Sequence, residues 1–251
     1  MLRSGITNYQ CFSYILTIFM LPITFSAVWP IFTPYLSVAF VVIFIYIYIL
    51  VIILTIKDSC VPELTRKTKE ENFVRKKFKS EPGRHVIENS KCNICEITVQ
   101  KETKHCKRCN YCVAKFDHHC VWLNNCIGEA NYRLFMLLII SMSFIAFCTF
   151  IISSYILIAW FSRSKNGLVS INYDNEWTWM RILWVVSAAV CVFVYFFTFV
   201  TTTHLLYFHI RLYKLGMTTY KFIVSKRRAK VGHIGQISTV SQTNTRTYSQ
   251  A

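Results

Sequence analysis

Cysteine and histidine are concentrated in one stretch of the chain, residues 92–126. Seven of the eleven cysteines and three of the seven histidines lie within it. Cysteines in close Cys-x2-Cys pairs, with histidines among them, are typical of structural zinc sites, which take four Cys or His ligands in a tetrahedron. Two such sites need eight ligands, and six cysteines with two histidines would fill two Cys3His sites, which leaves one cysteine and one histidine in excess. The candidates are Cys92, Cys95, His105, Cys106, Cys109, Cys112, His118, His119, Cys120 and Cys126.

Spacing alone does not decide which two residues are in excess. The run from Asp117 to Cys120 suggests an answer, because it places an acid, two imidazoles and a thiol side by side. A neighbouring histidine lowers the pKa of a thiol or accepts its proton. An adjacent carboxylate can hold that imidazole in the useful tautomer. We therefore predict Cys120 as a nucleophile, His118 as its base and Asp117 as the residue that orients the base.

The stretch from Cys92 to Phe135 resembles the cysteine-rich domain of the DHHC family of protein S-acyltransferases (palmitoyltransferases). The matching motifs are Cys-x2-Cys, His-Cys-x2-Cys-x2-Cys-Val, Asp-His-His-Cys-x-Trp, Asn-Asn-Cys-x-Gly and Asn-x3-Phe. The resemblance implies two interleaved zinc sites that leave Cys120 free. One site would use Cys92, Cys95, His105 and Cys112, and the other Cys106, Cys109, His119 and Cys126.

The resemblance also implies an activity. A long-chain fatty acyl group, palmitoyl, would move from acyl-CoA through an acyl-Cys120 thioester to cysteines of membrane-associated proteins. The expected cofactors are two structural zinc ions, with palmitoyl-CoA as the acyl donor. The expected partners are the lipid bilayer, acyl-CoA and substrate proteins with cytosolic juxtamembrane cysteines.

The chain departs from the family pattern at several positions. Val121 stands where most members have Pro, which indicates the branch that lacks this Pro. The stretch 218–221 resembles the family's Thr-Thr-x-Glu element, which contacts the catalytic loop, but Lys221 replaces the acid. Glu102 stands where Arg is usual, so we expect different contacts to the acyl-CoA phosphates. These departures leave an alternative open, a catalytically weak or inactive zinc-stabilised membrane adaptor or scaffold.

The composition indicates a membrane protein, because 54% of the residues are hydrophobic and 16% aromatic. The run Tyr35–Ile56 has no charged residue and, as a helix, would span about 33 Å. We predict four transmembrane helices, at about 12–30, 35–56, 134–161 and 182–209. The predicted fold class is an all-α membrane protein with a small cytosolic Cys-rich domain, binding two zinc ions, between helices 2 and 3.

The four spans divide the chain into segments. Residues 1–56 form an N-terminal segment with the first two helices, and 57–133 a cytosolic region that holds the zinc domain at about 90–135. Residues 162–181 form a lumenal loop in which Trp177 and Trp179 are predicted interfacial anchors. Residues 210–251 form a basic cytosolic tail, and we expect its Ser/Thr/Gln-rich end to be disordered.

The basic residues predict the orientation. Of the 28 Lys and Arg residues, 25 fall on the side that holds both termini and the Cys-rich region. Positive residues stay cytosolic, so we predict a multi-pass endomembrane protein of the endoplasmic reticulum or Golgi, or else the endosome, with its zinc domain in the cytosol. The net charge of +16 could suggest nucleic acid, but the charges flank apolar runs, so no nucleic-acid partner is expected. A RING ubiquitin ligase is disfavoured because its paired-ligand order differs from the one here.

Overall fold

A computed structural model of the chain describes residues 5–28, 34–71, 73–74, 85–162 and 178–231. The helices within these residues are α1 (Asn8–Val28), α2 (Pro34–Ile56), α3 (Pro62–Glu70), α4 (Tyr132–Phe161), α5 (Thr178–Lys214) and α6 (residues 219–231). Four of them, α1, α2, α4 and α5, are long and apolar enough to cross a membrane. The short helix α3 and the last helix α6 lie outside these spans.

The long helices extend beyond the apolar runs from which they were predicted. Helix α1 begins at Asn8, ahead of the predicted residue 12, and contains Pro22. Helix α5 begins at Thr178 and ends at Lys214, whereas the predicted span was 182–209. Polar residues can continue a helix past its apolar part, so the length of an apolar run underestimates the helix. Trp177, with the rest of 163–177, and the tail end, 232–251, lie outside the described residues.

The Cys-rich domain, residues 85–131, consists of short antiparallel strands and turns. Strands β1–β3 form a three-stranded sheet, and β4–β5 and β6–β7 form two separate hairpins. None of these seven strands is longer than three residues, so backbone pairing alone stabilises the domain weakly. The strands are β1 (Ile87–Glu88), β2 (Lys91–Cys92), β3 (Ile97–Thr98), β4 (Lys104–Cys106), β5 (Tyr111–Val113), β6 (His118–Cys120) and β7 (Asn125–Ile127).

Two apolar clusters stabilise this domain, one within it and one at its border with the long helices. Inside it, Leu64 of α3 is fully buried against strand residues such as Val113 and Ile97. At its border with the long helices, Cys120 and Leu123 pack with Leu54 of α2 in a second cluster that also includes residues of α4. The hairpin β6–β7 therefore lies against the ends of the long helices rather than in open solvent.

Asn125 joins the Cys-rich domain to the end of α2. Its side chain is fully buried, and its Nδ2 donates hydrogen bonds to the carbonyls of Leu54 (2.6 Å) and Lys57 (2.9 Å). Its Oδ1 accepts hydrogen bonds from the hydroxyls of Ser59 (3.0 Å) and Tyr111 (3.3 Å). The last carbonyls of a helix have no partner within the helix, so an amide from outside caps α2 and fixes the hairpin to it.

We expect Asn125→Asp to destabilise the fold by about 3 kcal/mol or more, because a buried, acceptor-only carboxylate would face the carbonyls of Leu54 and Lys57. The free energy of unfolding, or the thermal midpoint of the purified protein in detergent, measures this loss. Asn89→Asp is the matched control, because Asn89 is exposed in a turn with φ of 48° that Asp also tolerates. An Asn125→Asp protein as stable as the control would contradict the capping role.

Candidate active site and metal clusters

The structure gathers eight of the ten candidate ligands into two groups. In each group one ligand atom per residue lies within 4.8 Å of every other. The first group takes one residue pair from around β2 and another from β4–β5. The second takes one pair from β4–β5 and another from β6–β7, so the two groups interleave along the chain. The groups are Cys92, Cys95, His105 and Cys112, and Cys106, Cys109, His119 and Cys126.

The distances in both groups fit a zinc ion. A tetrahedral zinc with bonds of about 2.3 Å to sulfur and about 2.1 Å to nitrogen places these atoms about 3.6 Å apart. In the first group, His105 Nδ1 lies 3.6, 3.3 and 3.9 Å from the sulfurs of Cys92, Cys95 and Cys112. In the second, the corresponding distances from His119 Nδ1 are 3.8, 3.3 and 3.6 Å. Both groups could therefore bind zinc.

The thiols of each group also need a cation on electrostatic grounds. Hydrogen bonds from Cys112 and Cys109 lower the pKa of Cys92 and Cys106, respectively. The remaining thiols respond in the opposite direction: hydrogen bonding to Cys92 raises the pKa of Cys112. Three thiolates this close repel one another, and a divalent ion removes the repulsion because it binds each thiol in its ionised form.

Strand β6 separates the two histidines and the cysteine of the Asp-His-His-Cys motif. Successive side chains of a strand point to opposite faces, so residues one apart in the sequence diverge and residues two apart share a face. His119 pairs with Cys126 across the hairpin and joins the second metal group. His118 and Cys120 lie on the other face, and Cys120 belongs to neither group. One thiol and one imidazole are thus left together, outside the metal groups.

Asp117 and His118 form a hydrogen-bonded pair. His118 Nδ1 lies 2.7 Å from Asp117 Oδ2, and the Asp117 side chain is 3% exposed. Burial alone would lower the pKa of His118, but its hydrogen bonds to Asp117 and Cys120 outweigh burial and raise the pKa to about 9. Burial would raise the pKa of Asp117, and hydrogen bonds from His118 and the Thr219 backbone overcome it, so this pKa is lowered. The pair therefore combines an ionised carboxylate with a strongly basic imidazole.

Helix α6 returns to the Cys-rich domain and holds Asp117. The backbone N–H of Thr219 donates to Asp117 Oδ1 (2.8 Å), and that of Tyr220 donates to the Asp117 carbonyl (3.1 Å). The return depends on the end of α5, where Gly216 has φ of +60° and the N–H of Met217 donates to the Leu212 carbonyl. This is a Schellman turn, which favours glycine at the left-handed position.

Lys221 and Glu102, two of the positions that depart from the family pattern, contact each other. Their side chains form an ion pair between α6 and the turn before β4, and this pairing lowers the pKa of Glu102. The family pattern has an acid at position 221 and Arg at 102, so the two charges are exchanged in this chain. The element at 218–221 contacts Asp117 of the motif through the backbone of Thr219 and Tyr220, and this contact does not need an acid at position 221.

The N-terminal segment contacts the loop that follows Cys120. Thr7 Oγ1 donates to the Val121 carbonyl (3.2 Å), and Asn124 Nδ2 donates to a carbonyl of the same segment (3.3 Å). The rings of Tyr9 and Trp122 meet edge to face, with centroids 5.5 Å apart. Sequence reasoning assigned no role to this segment, because its composition carries no pattern that points to the loop.

A third imidazole, His209 of α5, also lies beside the Asp117–His118 pair, and one of its nitrogens is within 4.8 Å of a ligand atom of each. Sequence reasoning missed it, because a single histidine in an apolar span gives no signal of its own. Its proximity results from packing between residues that are far apart in the sequence.

The sequence comparisons identify the family. Residues 85–226 match the sequence profile described as DHHC palmitoyltransferase, and this range covers more than half of the chain. The chain belongs to the DHHC palmitoyltransferase family. The family predicted from the motifs is therefore confirmed, while its branch without Pro after the motif cysteine stays a prediction.

Three relatives illustrate the similarity of this DHHC family member. "Palmitoyltransferase ZDHHC11" of Mus musculus is 39% identical over 163 residues, which are 59% of this chain and 47% of the relative. "Probable protein S-acyltransferase 22" of Arabidopsis thaliana is 41% identical over 136 residues, 54% of this chain and 23% of the relative. "Palmitoyltransferase ZDHHC11" of Homo sapiens is 30% identical over 158 residues, which are 57% of this chain and 38% of the relative. The chain therefore spans less than half of each relative.

The exchanged ion pair makes a prediction. Lys221→Glu or Glu102→Lys alone should place like charges together and weaken the docking of α6 by about 1 kcal/mol, because the pair is partly exposed. We expect each single variant to slow acylation of Cys120 several-fold and the double variant Glu102→Lys/Lys221→Glu to restore the rate. The measurement is the initial rate of mass gain with palmitoyl-CoA. If the loss of rate in the double variant equals the combined losses of the two single variants, the two residues do not act as a pair.

Proposed function

We propose that the protein is a protein S-acyltransferase, which moves palmitoyl or a similar long acyl chain from acyl-CoA to cysteines of membrane-associated proteins. One observation carries the proposal: Cys120 remains outside both metal groups and shares a strand face with His118. Membership in the DHHC family supports it, and so do the acyltransferase names of the relatives. The motif residues Asp117, His118 and Cys120 take the roles predicted for them.

In the first step, the Cys120 sulfur attacks the carbonyl carbon of the acyl-CoA thioester. His118 takes the thiol proton, and the C–S bond to coenzyme A breaks. The proton then passes to the departing thiolate, so coenzyme A leaves as a thiol and the acyl group stays on Cys120. A basic imidazole favours this transfer, and the buried Asp117 engages its Nδ1, which leaves Nε2 for the thiol.

In the second step, the thiol of a substrate protein attacks the acyl-Cys120 carbonyl. His118 accepts the proton of the attacking thiol and returns it to the Cys120 sulfur as that sulfur leaves. The product is a new thioester on the substrate protein, and Cys120 is again a thiol. The two steps divide one difficult exchange into two easier ones.

The metal ions have a structural role in this proposal. Four protein ligands close each site, so no position remains for a substrate or a water molecule. Bound at these residues, zinc would supply rigidity to a domain whose strands have at most three residues. The second group includes His119 and Cys126, which lie opposite each other in the hairpin that carries Cys120.

The placement of Cys120 suits a lipid substrate. Its side chain packs with Leu54, Phe135 and Leu138, at the ends of the apolar helices α2 and α4. An acyl chain could therefore lie among the long helices while its thioester reaches the sulfur. We also propose that this end of the bundle faces the cytosol of the endoplasmic reticulum, Golgi or endosome, because the basic residues concentrate there. Substrate proteins would present cysteines close to that membrane surface.

The nucleophile is tested directly. We expect purified protein incubated with palmitoyl-CoA to gain the mass of one acyl chain on Cys120, and Cys120→Ser to gain none. Because Cys120 is no ligand, the Cys120→Ser protein should retain two zinc ions per chain, measured by elemental mass spectrometry. Wild-type protein that holds two zinc ions but never gains an acyl chain would leave the adaptor as the better description.

A ligand variant should behave differently. Cys106→Ser removes one of the four ligands of the second group, so we expect about one zinc ion per chain and a marked loss of folded protein. Zinc content and the yield of monodisperse protein measure both effects. Equal zinc content in Cys106→Ser and Cys120→Ser would contradict the ligand assignment.

A further inference from the structure

His209 lies in α5, near the end that faces the Cys-rich domain, and it is 1% exposed. Its Nδ1 lies 3.2 Å from the hydroxyl of Tyr132, the first residue of α4. This hydrogen bond and the neighbouring Phe208 ring, 5.6 Å away between centroids, fix the orientation of the His209 imidazole. Neither the motifs nor the proposed mechanism gives this side chain a role.

Three rings form a closed cluster at this place. The centroid of His209 lies 6.0 Å from that of His118 and 5.3 Å from that of Phe135. Phe135 is in turn 5.3 Å from His118, at an interplanar angle of 66°. The imidazole of His118 therefore packs against two rings that come from different membrane helices, α4 and α5.

The hydrogen bond to Asp117 does not fix His118 by itself. It holds one ring atom, Nδ1, at 2.7 Å from the carboxylate, and it leaves the ring plane free to turn about that contact. Packing against Phe135 and His209 removes this freedom, because a turned ring would meet one of them. Since Nδ1 is engaged by Asp117, the nitrogen that remains for Cys120 is Nε2, and its direction depends on the ring plane.

We propose that His209 is a positioning residue for the proposed reaction: held by Tyr132, it fixes the plane of the His118 imidazole so that Nε2 points to Cys120. The inference rests on the proposed function, in which His118 is the base of Cys120. It adds a residue of the membrane bundle to the residues that set the reactivity of the thiol. Small errors in the placement of a catalytic group reduce rates strongly, so the effect is measurable.

The test measures how fast iodoacetamide alkylates Cys120 at neutral pH, by peptide mass spectrometry on full-length, zinc-loaded protein. This readout needs no acyl transfer, so it separates this proposal from the proposed function. We expect His209→Ala to slow alkylation about tenfold. The matched control is His204→Ala, an exposed histidine of the same helix, which should leave the rate unchanged. Both variants should hold two zinc ions.

A double-mutant cycle distinguishes positioning from a merely structural role. If His209 acts through His118, then His209→Ala should cause no further loss in a His118→Ala background. An equal loss in both backgrounds, or no loss in either, would overturn the proposal. Where His209→Ala does not fold, Tyr132→Phe takes its place in the cycle: it keeps the ring and removes only the hydroxyl that holds His209, and the same non-additivity with His118→Ala is expected.

If the positioning role is correct, the wild-type chain and His209→Ala should differ in acylation as well. The maximal rate of acyl-Cys120 formation should fall with His209→Ala, while the half-saturating palmitoyl-CoA concentration stays within about twofold, because His209 orients the base and does not bind the donor. A changed half-saturating concentration with an unchanged maximal rate would contradict the role. Acylation absent from wild-type protein would count against the proposed function, and the alkylation result would still decide on His209.

Discussion

The buried carboxylate of Asp117 is the point on which the site depends. A carboxylate removed from water needs donors to remain ionised, and Asp117 receives them from two directions. The ring of His118 engages one oxygen, and the backbone N–H of Thr219 engages the other. The Asp117 backbone is also paired, to the carbonyl of Ile127 and the N–H of Tyr220. Hairpin, base and α6 therefore share one residue, and the loss of any one of them disturbs the other two.

Much of the site was predictable from residue types. The surplus of one cysteine and one histidine followed from the ligand count of two Cys3His sites, and the residue types from Asp117 to Cys120 suggested which two they are. The division of the other eight residues between the two sites rested on family resemblance. The structure gives the physical reason why Cys120 is not a ligand. Successive side chains of strand β6 point to opposite faces, so His119 joins the second metal group while Cys120 points away from it. The contacts of Asn125 with the end of α2 and of His209 with Tyr132 could not be read from the sequence, because each joins residues more than 65 positions apart. Such contacts depend on how the helices pack, which apolar composition does not encode.

The departures from the family pattern show a second limit of sequence reasoning. Lys221 and Glu102, taken one at a time, suggested a weakened contact and altered phosphate binding. In the structure these two residues form an ion pair with each other. The two changes together therefore preserve an attraction between the two positions, with the positive and negative charges exchanged. The effect of either residue on the contact can therefore be judged only when its partner is known. The ion pair is partly exposed and contributes modestly, while the backbone hydrogen bonds of Thr219 and Tyr220 need no particular side chain.

The connection between α5 and α6, which contains Gly216, has a length that matters for the site. The left-handed backbone of Gly216 ends α5 and starts the reversal, after which only Met217 and Thr218 precede the residue that meets Asp117. One inserted residue would bring a different position to that carboxylate, displaced by about 100° around the axis of α6. Apart from Gly216, the connection does not depend on particular side chains, whereas an insertion or deletion would change which residue meets Asp117. The number of residues in the connection therefore sets which part of α6 reaches the site that holds Cys120.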